Sequence, residues 1–329
     1  MLGEQFGGYA QYAVALSAGV FPLPDGMSYA EGASLPVNLA TAYHALFHSG
    51  LLMPGDRVLI HSAAGGVGQI AVQMAKLAGC EVFATAGSEE KLQLLRDSYD
   101  VPHCINYRKS DFVSEVRRIC NAPKHGCLDL ILDPVGGSQL KSGIDLLRAG
   151  GRIVSFGAAS LSDRSSFSGF FNAIPHVLSM LIFNGIDLLK KSKAFVGLNM
   201  LEIARERPDV LRKDVLAGLD FIMQGKIKTV VSKQYDWRQV GRAHREMEER
   251  RTTGKIVFII PQPIDENTDI DATPIQEPIE VTQAFDASAA ASSSSSSAKA
   301  PQQPKASSSD ETDIPAATPS SRSAPYDQQ

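Results

Sequence analysis

Gly65, Gly66 and Gly68, with Val67 among them, lie in the stretch Ile60-His61-Ser62-Ala63-Ala64-Gly65-Gly66-Val67-Gly68-Gln69. Glycines without a Cβ let a backbone come close to a ligand, and the free N–H groups at a helix start attract an anion. The loop follows the β-rich run Arg57–His61 and opens an apolar-periodic helix from about Val67 to Ala78. That strand–turn–helix context is the one a dinucleotide pyrophosphate requires. No Gly-Lys-Ser or Gly-Lys-Thr follows, which excludes a P-loop. Gly65, Gly66, Val67 and Gly68 are therefore read as the cradle of a dinucleotide.

The second strand decides which dinucleotide. NAD-binding folds place an acid about 20 residues beyond the first glycine to bond the ribose 2′-hydroxyl. Here the strand ends Ala84-Thr85-Ala86-Gly87-Ser88 with no acid at its tip, and Lys91 and Tyr107 follow. A hydroxyl, an ammonium and a phenol suit a dianionic 2′-phosphate. NADPH is the favoured cofactor. The competing reading makes Ser88 a helix N-cap and puts Lys91 on a solvated face.

The elements that position these residues alternate. Strands are predicted at 57–61, 81–86, 104–106, 128–133 and 152–156, with helices at 67–78, 89–97, 112–120 and 139–147. This alternation predicts an α/β fold with a doubly wound parallel sheet and helices on both faces. The chain has 329 residues, is 43% hydrophobic and carries a net charge of −4. Residues 261–329 hold Lys299, Lys305 and Arg322 against eleven acids, which leaves the first 260 residues at +4. That weak, unclustered balance excludes a nucleic-acid partner. The serine runs Ser292–Ser297 and Ser307–Ser309 and the scarcity of large apolar side chains predict a disordered acidic tail.

Cys80, Cys104, Cys120 and Cys127 form no CxxC pair, so a reduced, cytoplasmic protein with no metal is expected. His44 and His48 have ligand-compatible spacing, but the local sequence offers neither a Glu in a His-Glu-x-x-His pattern nor a third ligand. Phe170–Leu189 is apolar yet interrupted by Asn172, Pro175, His176, Asn184 and Asp187. It does not read as a membrane span, and peripheral membrane association is the alternative.

Taken together, the glycine loop, Thr85-Ala86-Gly87-Ser88-Glu89-Glu90-Lys91, Asn106-Tyr107, Asp133-Pro134-Val135-Gly136-Gly137 and Val154-Ser155-Phe156-Gly157 resemble the NADPH quinone oxidoreductase branch of the zinc-independent medium-chain dehydrogenase/reductases. Leu35-Pro36-Val37-Asn38-Leu39-Ala40-Thr41-Ala42-Tyr43 and Gly254-Lys255 extend the resemblance, which is nearest to the vesicle amine transport protein subgroup and covers roughly residues 3 to 260. It implies a GroES-like catalytic domain around a Rossmann domain. The expected division is 1–40 as a remnant of the catalytic domain, 41–200 as the NADPH-binding domain, 201–260 as the returning catalytic segment and 261–329 as the tail. The resemblance also implies further residues upstream, so the chain is expected to be truncated at its N-terminus.

Residue roles follow from the same resemblance. Ser88, Lys91 and Tyr107 would face the 2′-phosphate, and Phe156, Gly157, Leu198 and Asn199 would approach the ribose or nicotinamide. Asn38 and Thr41 would lie near the nicotinamide and the substrate, with helix capping and packing as the rival reading. Arg250 and Lys255 are read first as surface charge. The implied activity is hydride transfer from NADPH to a quinone or an α,β-unsaturated carbonyl by a homodimer paired near Ala194–Leu198. The alternative is an NADPH-binding, weakly catalytic or non-catalytic membrane- or vesicle-associated regulatory protein.

Overall fold

The computed structural model describes residues 7–122, 124–157, 185–260 and 277–281. These all belong to one compact unit, Met1–Ser292. Its centre is a six-stranded, all-parallel sheet of order β3-β2-β1-β4-β5-β6. The strands are β1 (Arg57–Ile60), β2 (Glu81–Ala86), β3 (His103–Asn106), β4 (Leu128–Asp133), β5 (Leu147–Ser155) and β6 (Ala194–Gly197). The chain leaves β1 toward β2 on one side and resumes at β4 on the other. The switch point, where a doubly wound sheet opens a crevice for its ligand, therefore lies at the end of β1.

Strand alternation explains why both faces are covered. Val58 and Ile60 of β1, Val82 and Ala84 of β2, and Leu130 and Leu132 of β4 point into one core. Leu59, Phe83 and Ile131 point into the other. The first core is closed by α1 (Tyr29–Tyr43), α2 (Gly66–Leu77) and α3 (Glu89–Tyr99). The second is closed by α4 (Phe112–Ile119) and α5 (Ser138–Leu146), through Phe112, Val116, Leu140 and Ile144. Each fully buried aliphatic side chain contributes about 1.5–3 kcal/mol over its exposed state. A period-two pattern loaded on both faces thus holds the strands from above and below.

The remaining described helices are α6 (Gly185–Lys191), α7 (Met200–Glu206), α8 (Pro208–Met223) and α9 (Val240–Glu248). A second, three-stranded sheet joins β7 (Val231–Asp236) to β8 (Lys255–Ile259) in parallel and to β9 (Ile279–Glu280) in antiparallel sense. This is the expected α/β class, with a small second sheet beside the Rossmann sheet. α1 is started by a complete capping box between Ser28 and Glu31.

Two expectations are corrected here. β5 begins at Leu147 rather than near Arg152, because Leu147 pairs with Leu128 ahead of an irregularity in the ladder. Gly150, with φ of +84°, supplies the backbone turn within it. The cysteines are not all reduced: Cys120 and Cys127 form a disulfide that closes the turn between α4 and β4. Their Cα atoms are 6.4 Å apart, within bridging range. Seven positions of separation matched no known motif, and only the turn brings the pair together. Cys80 and Cys104 are free.

Most of Phe170–Leu189 and the Ser/Pro-rich tail lie outside the described residues. Among the described residues, no helix is long and apolar enough to cross a membrane.

Candidate functional site

The glycine loop turns at the end of β1 and runs into α2. Ser62 takes a left-handed backbone (φ +52°), and Gly65 donates its N–H to the Ser62 carbonyl at 2.9 Å. Gly65 is then the extended N-cap of α2, with no side chain to bond the helix's first N–H groups. Those donors are thus left to an outside acceptor. A Cβ on Gly68 would press on the Ser62 carbonyl and stand 2.7 Å from the Ala63 Cα. A Cβ on Gly66 would meet the Asn38 amide at 2.8 Å. Val67 turns into the main core. Glycine at 68 permits the tight turn, and a loop that ends in uncapped α2 N–H groups is a donor set that fits a pyrophosphate.

Its floor is tied down from far along the chain. The Gln69 amide and the Gly254 N–H both donate to the Ala64 carbonyl, each at 2.8 Å. The Tyr99 hydroxyl holds Gln69 in turn at 2.6 Å, and burial pushes that phenol up to about 12. Beneath the loop His61 is 3% exposed. Its Nδ1 meets the Thr85 hydroxyl at 3.0 Å, and its Nε2 has no partner among the described residues. Burial lowers its proton affinity, opposed by the Asp133 carboxylate.

A second cluster forms at the tips of β2 and β3. A Cβ on Gly87 would stand 2.6 Å from the Tyr107 hydroxyl and 3.3 Å from the Arg108 Nε. Asn106 accepts the Arg108 N–H at 3.1 Å, which turns the chain just past β3. The Lys91 ammonium donates to the Arg250 carbonyl at 2.7 Å. Burial first, then the Arg108 and Arg250 guanidiniums, holds its proton affinity below the usual lysine value. Three cations gathered against their own repulsion are arranged for an anion. Ser88 caps α3 by accepting the Lys91 N–H.

At the other end Asp133, fully buried, accepts N–H bonds from Val135 at 2.7 Å and Gly136 at 3.1 Å. Phe156 donates its N–H to the Asp133 carbonyl at 3.1 Å. A Cβ on Gly157 would stand 2.5 Å from the Pro134 carbonyl. Leu198 bonds Ser155 at 2.8 Å and is buried in the main core. Asn199 caps α7 by accepting the Leu201 N–H at 3.0 Å. Asn38 and Thr41 are buried one turn apart on α1, and Asn38 donates to the Ser34 carbonyl at 2.9 Å. Asn38 thus lies against the glycine loop, whereas Ser88 and Asn199 serve as caps.

The sequence reading missed three residues. Arg108 follows Tyr107 directly, and a count of cations flanking the strand tips would have found it. His61 lies inside the motif, at the end of the β-rich run, where its type signals a strand residue. Asp214, on α8, meets both His44 and His48, and no local spacing could reveal that. Lys255 is half-buried, and burial lowers its proton affinity.

A family model described as "Zinc-binding dehydrogenase" matches residues 66–211. The chain is 36% identical over 253 residues to the synaptic vesicle membrane protein VAT-1 homolog of Danio rerio, covering 77% of this chain and 51% of that one. It spans about half the length of that relative. Among solved structures it is similar to the CurK enoyl reductase, at 29% identity and a TM-score of 0.60, covering 73% of this chain and 65% of that one. It is also similar to a quinone oxidoreductase of Pseudomonas syringae pv. tomato DC3000, at 25% identity and a TM-score of 0.63, covering 77% and 72%. With its switch-point cradle and strand order, the chain belongs to the zinc-independent medium-chain dehydrogenase/reductase family.

Proposed function

We propose that this chain binds NADPH and passes hydride to a carbonyl-conjugated double bond, that of a quinone or an α,β-unsaturated carbonyl. The observation that carries the reading is Tyr107 and Arg108 against Gly87, with Lys91 near enough to Arg108 and Arg250 to feel their charges, at a strand tip that bears no carboxylate. A 2′-phosphate is a dianion, and it would relieve the mutual repulsion of these cations; a bare ribose hydroxyl would not. The enoyl reductase and quinone oxidoreductase likenesses support the substrate class.

When bound, the nicotinamide supplies the hydride. The chain's part is placement. Gly65, Gly66 and Gly68 bring α2's free N–H groups to the pyrophosphate. Phe156 and Gly157, fixed by Asp133 and Pro134, border the nicotinamide half. Asn38 and Thr41 wall the substrate side. On this reading residues 41–200 are the dinucleotide domain, flanked by 1–40 and 201–260, and the protein is a homodimer with its contact near Ala194–Leu198. Thermal unfolding with NADPH, NADH or neither tests the cofactor. A ligand at 100 times its Kd adds about 2.7 kcal/mol to stability, so NADPH should raise the midpoint by several degrees and NADH by less. Equal shifts, or none, would count against the reading.

The VAT-1 likeness favours a second reading, an NADPH-binding protein with little turnover that works at a membrane surface. Steady NADPH oxidation with any of a panel of quinones and enones would exclude it.

A further inference from the structure

The turn that ends α1 carries a cluster the dinucleotide site does not use. His44 and His48 are four residues apart on one helical face, on a π-helical turn (His44–Ser49), with ring centroids 4.9 Å apart. Single π-turns inside helices recur at functional sites. Asp214, in the middle of α8, meets both rings: its Oδ2 lies 2.8 Å from the His44 Nδ1 and its Oδ1 2.9 Å from the His48 Nε2. The Asp214 side chain is fully buried, that of His44 is 15% exposed and that of His48 is 51% exposed.

We propose that His44, His48 and Asp214 bind one divalent transition-metal ion of the Zn2+ or Co2+ type. Two imidazole nitrogens and one carboxylate oxygen are a donor set these ions favour, whereas Ca2+ and Mg2+ take oxygen ligands. The three ligand atoms all lie within 4.8 Å of one another. An ion at about 2.0–2.1 Å from each needs them no more than about 4.2 Å apart, a change that small side-chain rotations supply. His44 would bind through Nδ1 and His48 through Nε2, each with its proton on the other nitrogen. The two hydrogen bonds to Asp214 give way to bonds to the ion. The exposed side of His48 leaves the fourth position open to water.

Such an ion would fasten α1 to α8. Asn38 and Thr41 lie on α1 just before His44, with Asn38 against Gly66. The ion is thus a positioning element for one wall of the crevice, one helical turn from Thr41, and takes no place in the glycine loop.

The test uses the full chain, stripped with a chelator and titrated with Co2+, whose four-coordinate complexes absorb in the visible. One Co2+ per chain is expected, displaced by Zn2+, with a rise in the unfolding midpoint as the site fills. Changes outside a metal's own ligands cost about 10–100-fold in affinity, so His48→Ala should cost at least about 10-fold. Asp214→Asn should abolish binding. If that buried change prevents folding, His44→Gln takes its place, since His48 still bonds the buried Asp214 carboxylate when His44 is replaced. No Co2+ uptake by the unaltered chain, or uptake unchanged in His48→Ala, would overturn the proposal and leave the triad a hydrogen-bonded clasp.

Discussion

Arg108 and His61 carry the sharpest single-residue consequences. Arg108 is exposed at the tip of β3, so its removal should leave the fold intact while weakening the anion site. A hydrogen bond to a charged group is worth about 1.5–3 kcal/mol, which predicts a loss of roughly 10- to 100-fold in NADPH affinity for Arg108→Ala. NADH affinity should hardly move. Equilibrium fluorescence titration with both cofactors checks this, and equal losses would place Arg108 away from the 2′-phosphate. His61 sets a pH dependence. Its folded proton affinity lies below the ordinary value near 6.5 because burial disfavours the charged ring. The unfolded chain therefore takes up the proton first. The stability tied to neutral His61 is full above about pH 6.5 and drains away as pH falls toward the lower folded value. Urea unfolding from pH 7.5 to 5 should show a fall that His61→Gln reduces, and identical slopes would remove His61 from the account.

At the scale of the element, the glycine loop separates two kinds of crowding. In Gly68→Ala the new Cβ meets backbone atoms of Ser62 and Ala63, which cannot step aside. Overpacking of this kind costs about 1–3 kcal/mol, and dinucleotide binding should be lost with it. In Gly66→Ala the nearest atoms to the new Cβ are those of the Asn38 amide, the end of a side chain that can rotate. That variant should unfold nearly like the parent in urea yet bind cofactor more weakly. The strands and helices of this half of the chain were legible because each burial face repeats at a period of two or 3.6, as in Val58, Leu59 and Ile60. The loop was legible because its glycines, strand and helix are contiguous. What stayed hidden depends on contacts between distant segments. Asp214 reaches His44 across 170 positions, and the Cys120–Cys127 bridge is made by a turn with no signature. For Lys91 the sequence offers a 2′-phosphate ligand or a solvated cation, and neither reading contains the bond of its ammonium to the Arg250 carbonyl, brought in beyond α9.

For the whole molecule, the inferred dimer makes a plain claim. Equilibrium sedimentation at micromolar concentration should give twice the 35.3 kDa chain mass, and a charged substitution such as Val196→Glu should shift the balance toward single chains. A species of one chain mass throughout would remove the contact near Ala194–Leu198 from the reading. The ledger of charge works at the same scale: the surplus of acids sits after residue 260 and leaves the remainder slightly basic. An anionic cofactor therefore meets a body that does not repel it.

The bond from the Gly254 N–H to the Ala64 carbonyl, beside the bridge between Gly65 and Gly254, has a consequence for the order in which the protein is made. Chain growth proceeds from the N-terminus, so β1 and α2 leave the ribosome long before residue 254 exists. The nascent chain can pair β1 with β2 and close most of the parallel sheet, yet the floor of the phosphate turn must wait for its last tether. Contacts this far apart in sequence form late, because the intervening loop must first be closed at an entropic cost. The floor of the phosphate turn is thus locked only after the sheet is made, and a growing chain stalled before Gly254 would hold an assembled sheet whose phosphate turn is still loose.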